Sequence, residues 1–174
     1  MARLQGEIYD PAADTWTPTA TASVPRLYHS TALLLPDATV VTVGIAAGGG
    51  SHVIWDDDPN EEMRLEVFSP PYLFKGPRPV ISAAPGQCTY GLAIQIKSPQ
   101  AANIRWASLL RNCVTTHSYD GSQRLVDLEV TSLASDSVTA TVPQNPNIAP
   151  PGWYMLFLID KNGIPSVAKW ILLS

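Results

Sequence analysis

The sequence is short of several things, and each shortage narrows its class. Basic residues are scarce: 11 Lys+Arg stand against 15 Asp+Glu, a formal net charge of −4. That balance supplies no basic face for phosphates and argues against a nucleic-acid partner. No apolar run is long enough to span a bilayer. The first seven residues, Met1 to Glu7, lack an apolar h-region, so no signal peptide is expected there. Two settings then remain: a cytoplasmic protein, or part of a longer, secreted precursor. Cysteine occurs only twice, as Cys88 and Cys113. Neither belongs to a C-x-x-C pair, which argues against zinc. A disulfide between them and two buried free thiols are equally compatible with the sequence.

What is present points to short strands. The 16 prolines and 11 glycines leave little room for long helices. With 45% hydrophobic residues in 174, the chain can build one or two small domains with real cores.

Residues 7–43 alternate strands and turns. Glu7-Ile8-Tyr9-Asp10-Pro11 reads as a strand ending in a turn, and Asp14-Thr15-Trp16-Thr17 follows it. Tyr28 to Leu35, the turn Pro36-Asp37-Ala38 and the β-branched run Thr39 to Gly44 read as a hairpin. Y-D-P…D-T-W followed by H-S-x-x-L-L-L-P-D is the pattern of a kelch-type propeller blade. At a period of about 50 residues, at most about one and a half blades are present. Gly48-Gly49-Gly50-Ser51 and the acidic loop Asp56 to Glu62 interrupt the pattern. The loop reads as a solvated charge run rather than a calcium site, with His52 exposed in it. Strand character returns at Arg64 to Phe68, and Ser69 to Phe74 closes the unit.

Lys75-Gly76-Pro77-Arg78-Pro79 is rich in breakers and marks the expected boundary between a first part, 1–76, and a second, 77–174. In the second part, strands are expected at 80–82, 91–96, 104–110, 124–130, 137–142, 152–159 and 167–173, with a turn at Asp160-Lys161-Asn162-Gly163. About seven such strands suggest an immunoglobulin-like sandwich. The expected fold class is therefore all-β: a partial propeller followed by a β-sandwich. Trp153, Tyr154, Phe157 and Trp170 follow the strand spacing and are expected in its core.

The residues with chemistry to offer cluster at Arg26-Leu27-Tyr28-His29-Ser30. Neighbouring strand residues point to opposite faces. Tyr28 and His29 can therefore share one metal ion only where the backbone bends or the strand begins. Phenolate and imidazole suit copper(II) in a tetragonal site.

Three motifs together carry a resemblance: R-L-Y-H-S-T-A-L-L-L-P-D, then T-H-S-Y-D-G-S-Q-R, then P-G-W-Y-M-L-F-L-I-D-K-N-G-I-P-S-V-A. In this order they resemble the C-terminal third of the galactose oxidase and glyoxal oxidase family of copper-radical oxidases. The resemblance covers nearly the whole chain. It implies a seven-bladed kelch propeller followed by an early-set, immunoglobulin-like domain, and an extracellular protein. It implies one copper ion held by Tyr28, His29 and, from a sandwich loop, His117. Tyr28 is then the axial ligand and the base that takes the alcohol proton. A metal-bound phenolate is basic enough to accept that proton. The implied reaction oxidises a primary alcohol, aldehyde or sugar: a hydrogen atom passes to a tyrosyl radical, and dioxygen is reduced to hydrogen peroxide.

The departures are specific. The family's radical tyrosine, its covalently joined cysteine and a stacking aromatic lie in earlier blades, outside this sequence. Neither Cys88 nor Cys113 falls in that motif. On this reading the chain alone is inactive, and its open blade edge awaits either the missing blades or a second copy. Ala38 stands where the family's hairpin has glycine after P-D, and strain is expected there in a type I′ turn. The blander readings are blade packing for Tyr28 and His29 and a polar loop for His117. Arg26 lines a substrate mouth or pairs with a carboxylate, while Gln123 and Arg124 hold the histidine loop. The alternative function is a non-catalytic carbohydrate-binding or protein-interaction module.

Overall fold

The computed structural model describes residues 4–26, 30–44, 64–111, 114–116 and 119–174. Strands dominate it, joined by turns and two short 3-10 segments, Pro71–Phe74 and Ala101–Asn103. The chain is all-β, as expected. It divides into two compact units. The first comprises residues 1–33, 41–68 and 115–119; the second comprises 34–40, 69–114 and 120–174.

In the first unit, β1 (Gln5–Asp10) and β2 (Thr15–Thr21) form an antiparallel ribbon. Its turn is built by side chains. Asp10 Oδ1 accepts the backbone N–H of Ala12 at 2.9 Å, and Asp14 takes a positive φ of 51°. Short polar side chains tolerate that region because they bond locally. Tyr9 donates its hydroxyl to Asp14 at 2.9 Å and lies 4.9 Å from the Trp16 ring. Nearly every ribbon residue is exposed, including Ile8, Tyr9 and Trp16. A separate sheet has the order β3 (Thr31–Leu34), β4 (Val40–Val43) and β5 (Glu66–Phe68).

The second unit is dominated by a seven-stranded sheet. Its strands are β6 (Gln87–Cys88), β7 (Ala93–Lys97), β8 (Ile104–Arg111), β11 (Leu125–Leu133), β12 (Ser137–Thr141), β13 (Gly152–Asp160) and β14 (Lys169–Leu173). A separate two-stranded sheet, which falls in the first unit but for Asp120, pairs β9 (Thr115–Thr116) with β10 (Tyr119–Asp120). The order in the large sheet is β6-β14-β13-β8-β11-β12-β7. Only β14 and β6 run parallel. β11 lets the sheet fold over: Leu125–Leu128 pair with β8, Glu129–Leu133 pair with β12, and a register shift falls between Val130 and Ser132. A bulge of this kind bends the strand and turns a sheet corner. Ile96, Leu109, Val126, Val138, Tyr154, Leu156, Leu158 and Ile171 fill the interior so enclosed.

β13 is apolar on both faces for two different reasons. Tyr154, Leu156 and Leu158 enter the main core. Met155, Phe157 and Ile159 point the other way and form a second cluster with Ala38, Ala168 and the partly buried Leu34, Tyr72, Leu73, Trp106 and Leu110. The hairpin tip 34–40 thus packs on the outer face of the sheet. Ala168 donates its N–H to the Pro36 carbonyl at 2.8 Å. Arg78 adds a fork: Nε donates to the Pro165 carbonyl at 2.8 Å, Nη2 to Ser166 at 2.6 Å and Nη1 to Asp37 at 2.7 Å.

Two readings of the sequence need correction, and one strand goes unread. Tyr154 and Phe157 are buried, but Trp153 is 53% and Trp170 42% exposed. Residues 80–82 form no strand; Ser82 donates one N–H to Lys97, and the adjoining Ala83 makes an isolated bridge. The strand Gln87–Cys88 has too little pattern in two residues to be seen in the sequence. The turn at Asp160–Gly163 is present: Asp160 Oδ1 accepts from Asn162 and Ile164, and Gly163 supplies a φ of 80°. Cys88 is a free thiol, and burial pushes its pKa up to about 11.

Candidate functional site

Tyr28, His29 and His117 lie outside the described residues, as do His52, Cys113 and the acidic loop 56–62. The surroundings of the two motifs are described, and they are well ordered by hydrogen bonds. Upstream of Tyr28, the turn Ser23-Val24 is gripped by Glu66. Its Oε1 accepts the Ser23 N–H at 2.8 Å and the Ser23 hydroxyl at 2.6 Å, and its Oε2 accepts the Val24 N–H at 3.2 Å. These donors, with a smaller contribution from the Arg26 charge, hold the Glu66 carboxyl below the usual range.

Arg26 belongs to the same framework. Nη1 donates to the Gly44 carbonyl at 3.0 Å, and Nη2 donates to the carbonyls of Thr42, at 3.4 Å, and of Arg64. Its Nε is buried with no hydrogen-bond partner among the described residues. The sequence left Arg26 between a substrate mouth and a carboxylate partner. Its bonds instead go to backbone carbonyls of β4 and of the segment before β5. Downstream, Ser30 packs so closely on Gly44 that a Cβ there would meet the Ser30 Cα at 2.5 Å. Glycine is required at 44 for that approach.

The second motif sits on a small hairpin. Strands β9 and β10 flank residues 117–118. Asp120 Oδ1 accepts the N–H of Val114 at 3.2 Å and of Ser122 at 3.0 Å, and Gly121 donates to the Val114 carbonyl at 3.2 Å. Arg124 braces the next segment, with Nη1 donating to the carbonyls of Asn147 at 2.7 Å and Ile148 at 3.0 Å. These bonds tie Arg124 to the segment before β13.

Among the described residues, no group of three His, Cys, Asp or Glu side chains could hold a metal ion. All three histidines of the chain, 29, 52 and 117, fall outside them. The donor set itself, one phenolate and two imidazoles, is of the type that suits copper(II). The residues flanking both motifs belong to one compact unit: Arg26 and Ser30 on one side, Thr115, Thr116 and Tyr119 on the other.

The protein is an all-β chain whose larger unit is a folded-over seven-stranded sandwich. Comparison with known proteins sharpens this. The model of the galactose oxidase-like, early set domain matches residues 78–173. The aldehyde oxidase GLOX of Vitis pseudoreticulata is 37% identical over 166 residues, which cover 87% of this chain and 30% of that protein. A galactose oxidase of Gibberella zeae is 34% identical over 171 residues, covering 95% of this chain and 24% of that one. A solved structure of a fungal alcohol oxidase of the AA5 family, in complex with copper, matches with a TM-score of 0.88 and 33% identity. That match covers 99% of this chain and 36% of the other.

The chain belongs to the galactose oxidase-like early-set family, and its relatives include galactose oxidase and aldehyde oxidases. It spans 24–30% of the length of these two curated relatives.

Proposed function

We propose that this chain is the C-terminal part of an extracellular copper-dependent oxidase. Residues 1–76 are its last kelch-blade region and 77–174 its early-set sandwich. Tyr28, His29 and His117 hold the copper, which when bound supplies Lewis acidity and one-electron chemistry toward a primary alcohol, aldehyde or sugar. Tyr28 takes the substrate's hydroxyl proton on its phenolate oxygen. The Glu66 and Arg26 contacts fix the approach of the chain to Tyr28 and His29, and Asp120 fixes the base of the His117 hairpin. Alone, the chain turns over no alcohol, because the radical tyrosine and its cysteine belong to other blades.

One observation carries the reading. Two motifs about ninety residues apart in sequence have their flanks in the same compact unit, although the rest of the sandwich belongs to the other. Copper titration followed by paramagnetic resonance tests it. Nitrogen couplings from two imidazoles are expected in the wild-type chain, with one lost in His29→Ala and one in His117→Ala. A signal unchanged by both substitutions overturns the assignment.

A second reading has an observation of its own. The ribbon β1–β2 exposes Ile8, Tyr9 and Trp16 together with its strand edges. Such an edge templates pairing with another chain. An interaction module of this kind self-associates, and sedimentation that finds only monomer at high concentration removes it.

A further inference from the structure

We infer that the second unit carries a binding groove for a small aromatic carboxylate. The groove holds about 250 Å³. Tyr72, Trp106, Phe157, Ile159 and Pro165 supply apolar walls, and among the described residues Arg105 is the one charged residue lining it.

Three features build this site. The first is a bulge. Ile104 pairs with Asp160 and Trp106 with Ile159, so Arg105 is an extra residue with no partner on β13. Ile104 stays in the main core and Trp106 stays on the outer face, while the bulge re-aims Arg105 sideways. Its Nη2 lies 3.8 Å from where a Cβ would stand on Gly163, an ordinary contact distance that places the guanidinium beside the turn at the rim of the groove.

The second feature is the rigidity of the aromatic walls. The Trp106 indole N–H donates to Asp127 Oδ1 at 2.9 Å, and the Tyr72 hydroxyl donates to the Ala38 carbonyl at 2.7 Å. Both rings have their polar ends satisfied, so they offer apolar faces and edges to a guest.

The third is the state of Arg105 itself. It is exposed and makes no hydrogen bond or ion pair among the described residues. The Trp106 and Tyr72 polar ends are tied down, while this cation has no partner among the described residues beside an apolar trough. A planar guanidinium binds a carboxylate in a two-point fork. A trough of this volume admits a body of one or two rings, stacked against Trp106 and Tyr72.

The probe is 2-naphthoate, titrated into the full chain and read at the Trp106 indole N–H by nuclear magnetic resonance. A saturable shift is expected. The neutral 2-naphthamide, and naphthoate with Arg105→Gln, should each bind about ten- to a hundredfold more weakly, the usual worth of a hydrogen bond to a charged group. Arg105 is exposed and bears no structural bond, so the variant keeps the wild-type spectrum elsewhere. No saturable shift, equal binding of acid and amide, or an Arg105→Gln chain that binds naphthoate as tightly as wild type would each overturn the proposal.

Discussion

Glu66 holds Ser23 by both of its donors, the backbone N–H at 2.8 Å and the hydroxyl at 2.6 Å, across more than forty residues of sequence. The pair anchors the chain just before Arg26 and the Tyr28-His29 motif. The carboxyl's folded pKa is depressed, chiefly by these two hydrogen bonds. Its stabilising effect is therefore fully present above the unfolded value of about 4.3 and is lost as pH falls through the lower folded value. Amide exchange at Ser23 and Val24 should speed up in acid before exchange in the sandwich core does. Glu66→Gln should show the same local opening at neutral pH. Unchanged exchange at both amides in that variant would mean the carboxylate does not anchor the turn.

Ala38 has a φ of 63° and is 2% exposed. The sequence anticipates strain at this position. The left-handed conformation costs about 1–2 kcal/mol for a residue with a Cβ. Its methyl, however, packs against Phe157 and its neighbours, worth about 0.8 kcal/mol. Glycine would also lose about 0.5–1 kcal/mol to chain entropy. Ala38→Gly should therefore change stability by less than about 1 kcal/mol, because these effects offset. Ala38→Val adds branching where φ is positive and overfills a packed site, so it should cost about 2–4 kcal/mol. Urea midpoints of the two variants check this, and a valine variant as stable as wild type would refute the packing account.

Arg78 donates to three carbonyls, those of Asp37, Pro165 and Ser166. Its segment reads as a breaker-rich junction, yet its side chain fixes the hairpin tip to the β13–β14 connection within the second unit. Arg78→Ala leaves three acceptors without their donor and should cost about 2–4 kcal/mol. Arg78→Lys should recover only part, since an ammonium cannot reproduce the fork. Thermal unfolding of both variants provides the check. Equal loss in Ala and Lys would show that the geometry, rather than the charge, holds the tip.

Much of the sandwich is legible in the sequence because inner and outer residues alternate. Ile94 and Ile96 on β7, and Val138 and Ala140 on β12, face the core two apart and are recognisable as such. The outer face is less legible. Met155, Phe157 and Ile159 are covered by Leu34 and Ala38, more than a hundred residues away in sequence, and no local pattern announces that cover. The same gap explains the error over the tryptophans. Trp153 lies on the same face as Phe157, and Trp170 pairs with Met155 on the neighbouring strand. Both continue the apolar stripe, but neither belongs to the covered cluster, so both remain exposed. The bulge at Arg105 is invisible in the sequence because it depends on the register of β8 against β13. The candidate ligands Tyr28, His29 and His117 are legible only through motifs. Their ordered anchors, Glu66, Arg26 and Asp120, become visible only once distant backbone donors and acceptors are placed beside them.

Neighbouring residues on β13 separate burial from mere apolarity. Leu156 is fully buried in the main core beside its cross-strand partner Leu109, whereas Trp153 is about half exposed. Leu156→Ala should cost about 2–5 kcal/mol, because the lost transfer energy adds to a cavity that a packed interior cannot close. Trp153→Ala removes a much larger side chain but empties no enclosed space, so only part of its area counts. Its cost should stay below about 1.5 kcal/mol, less than the smaller deletion beside it. Sequence hydrophobicity alone predicts the reverse order, since tryptophan is the larger apolar group. Denaturant unfolding of the two variants decides between the orders. A Trp153→Ala loss equal to that of Leu156→Ala would place the indole in a buried contact that the structure does not give it.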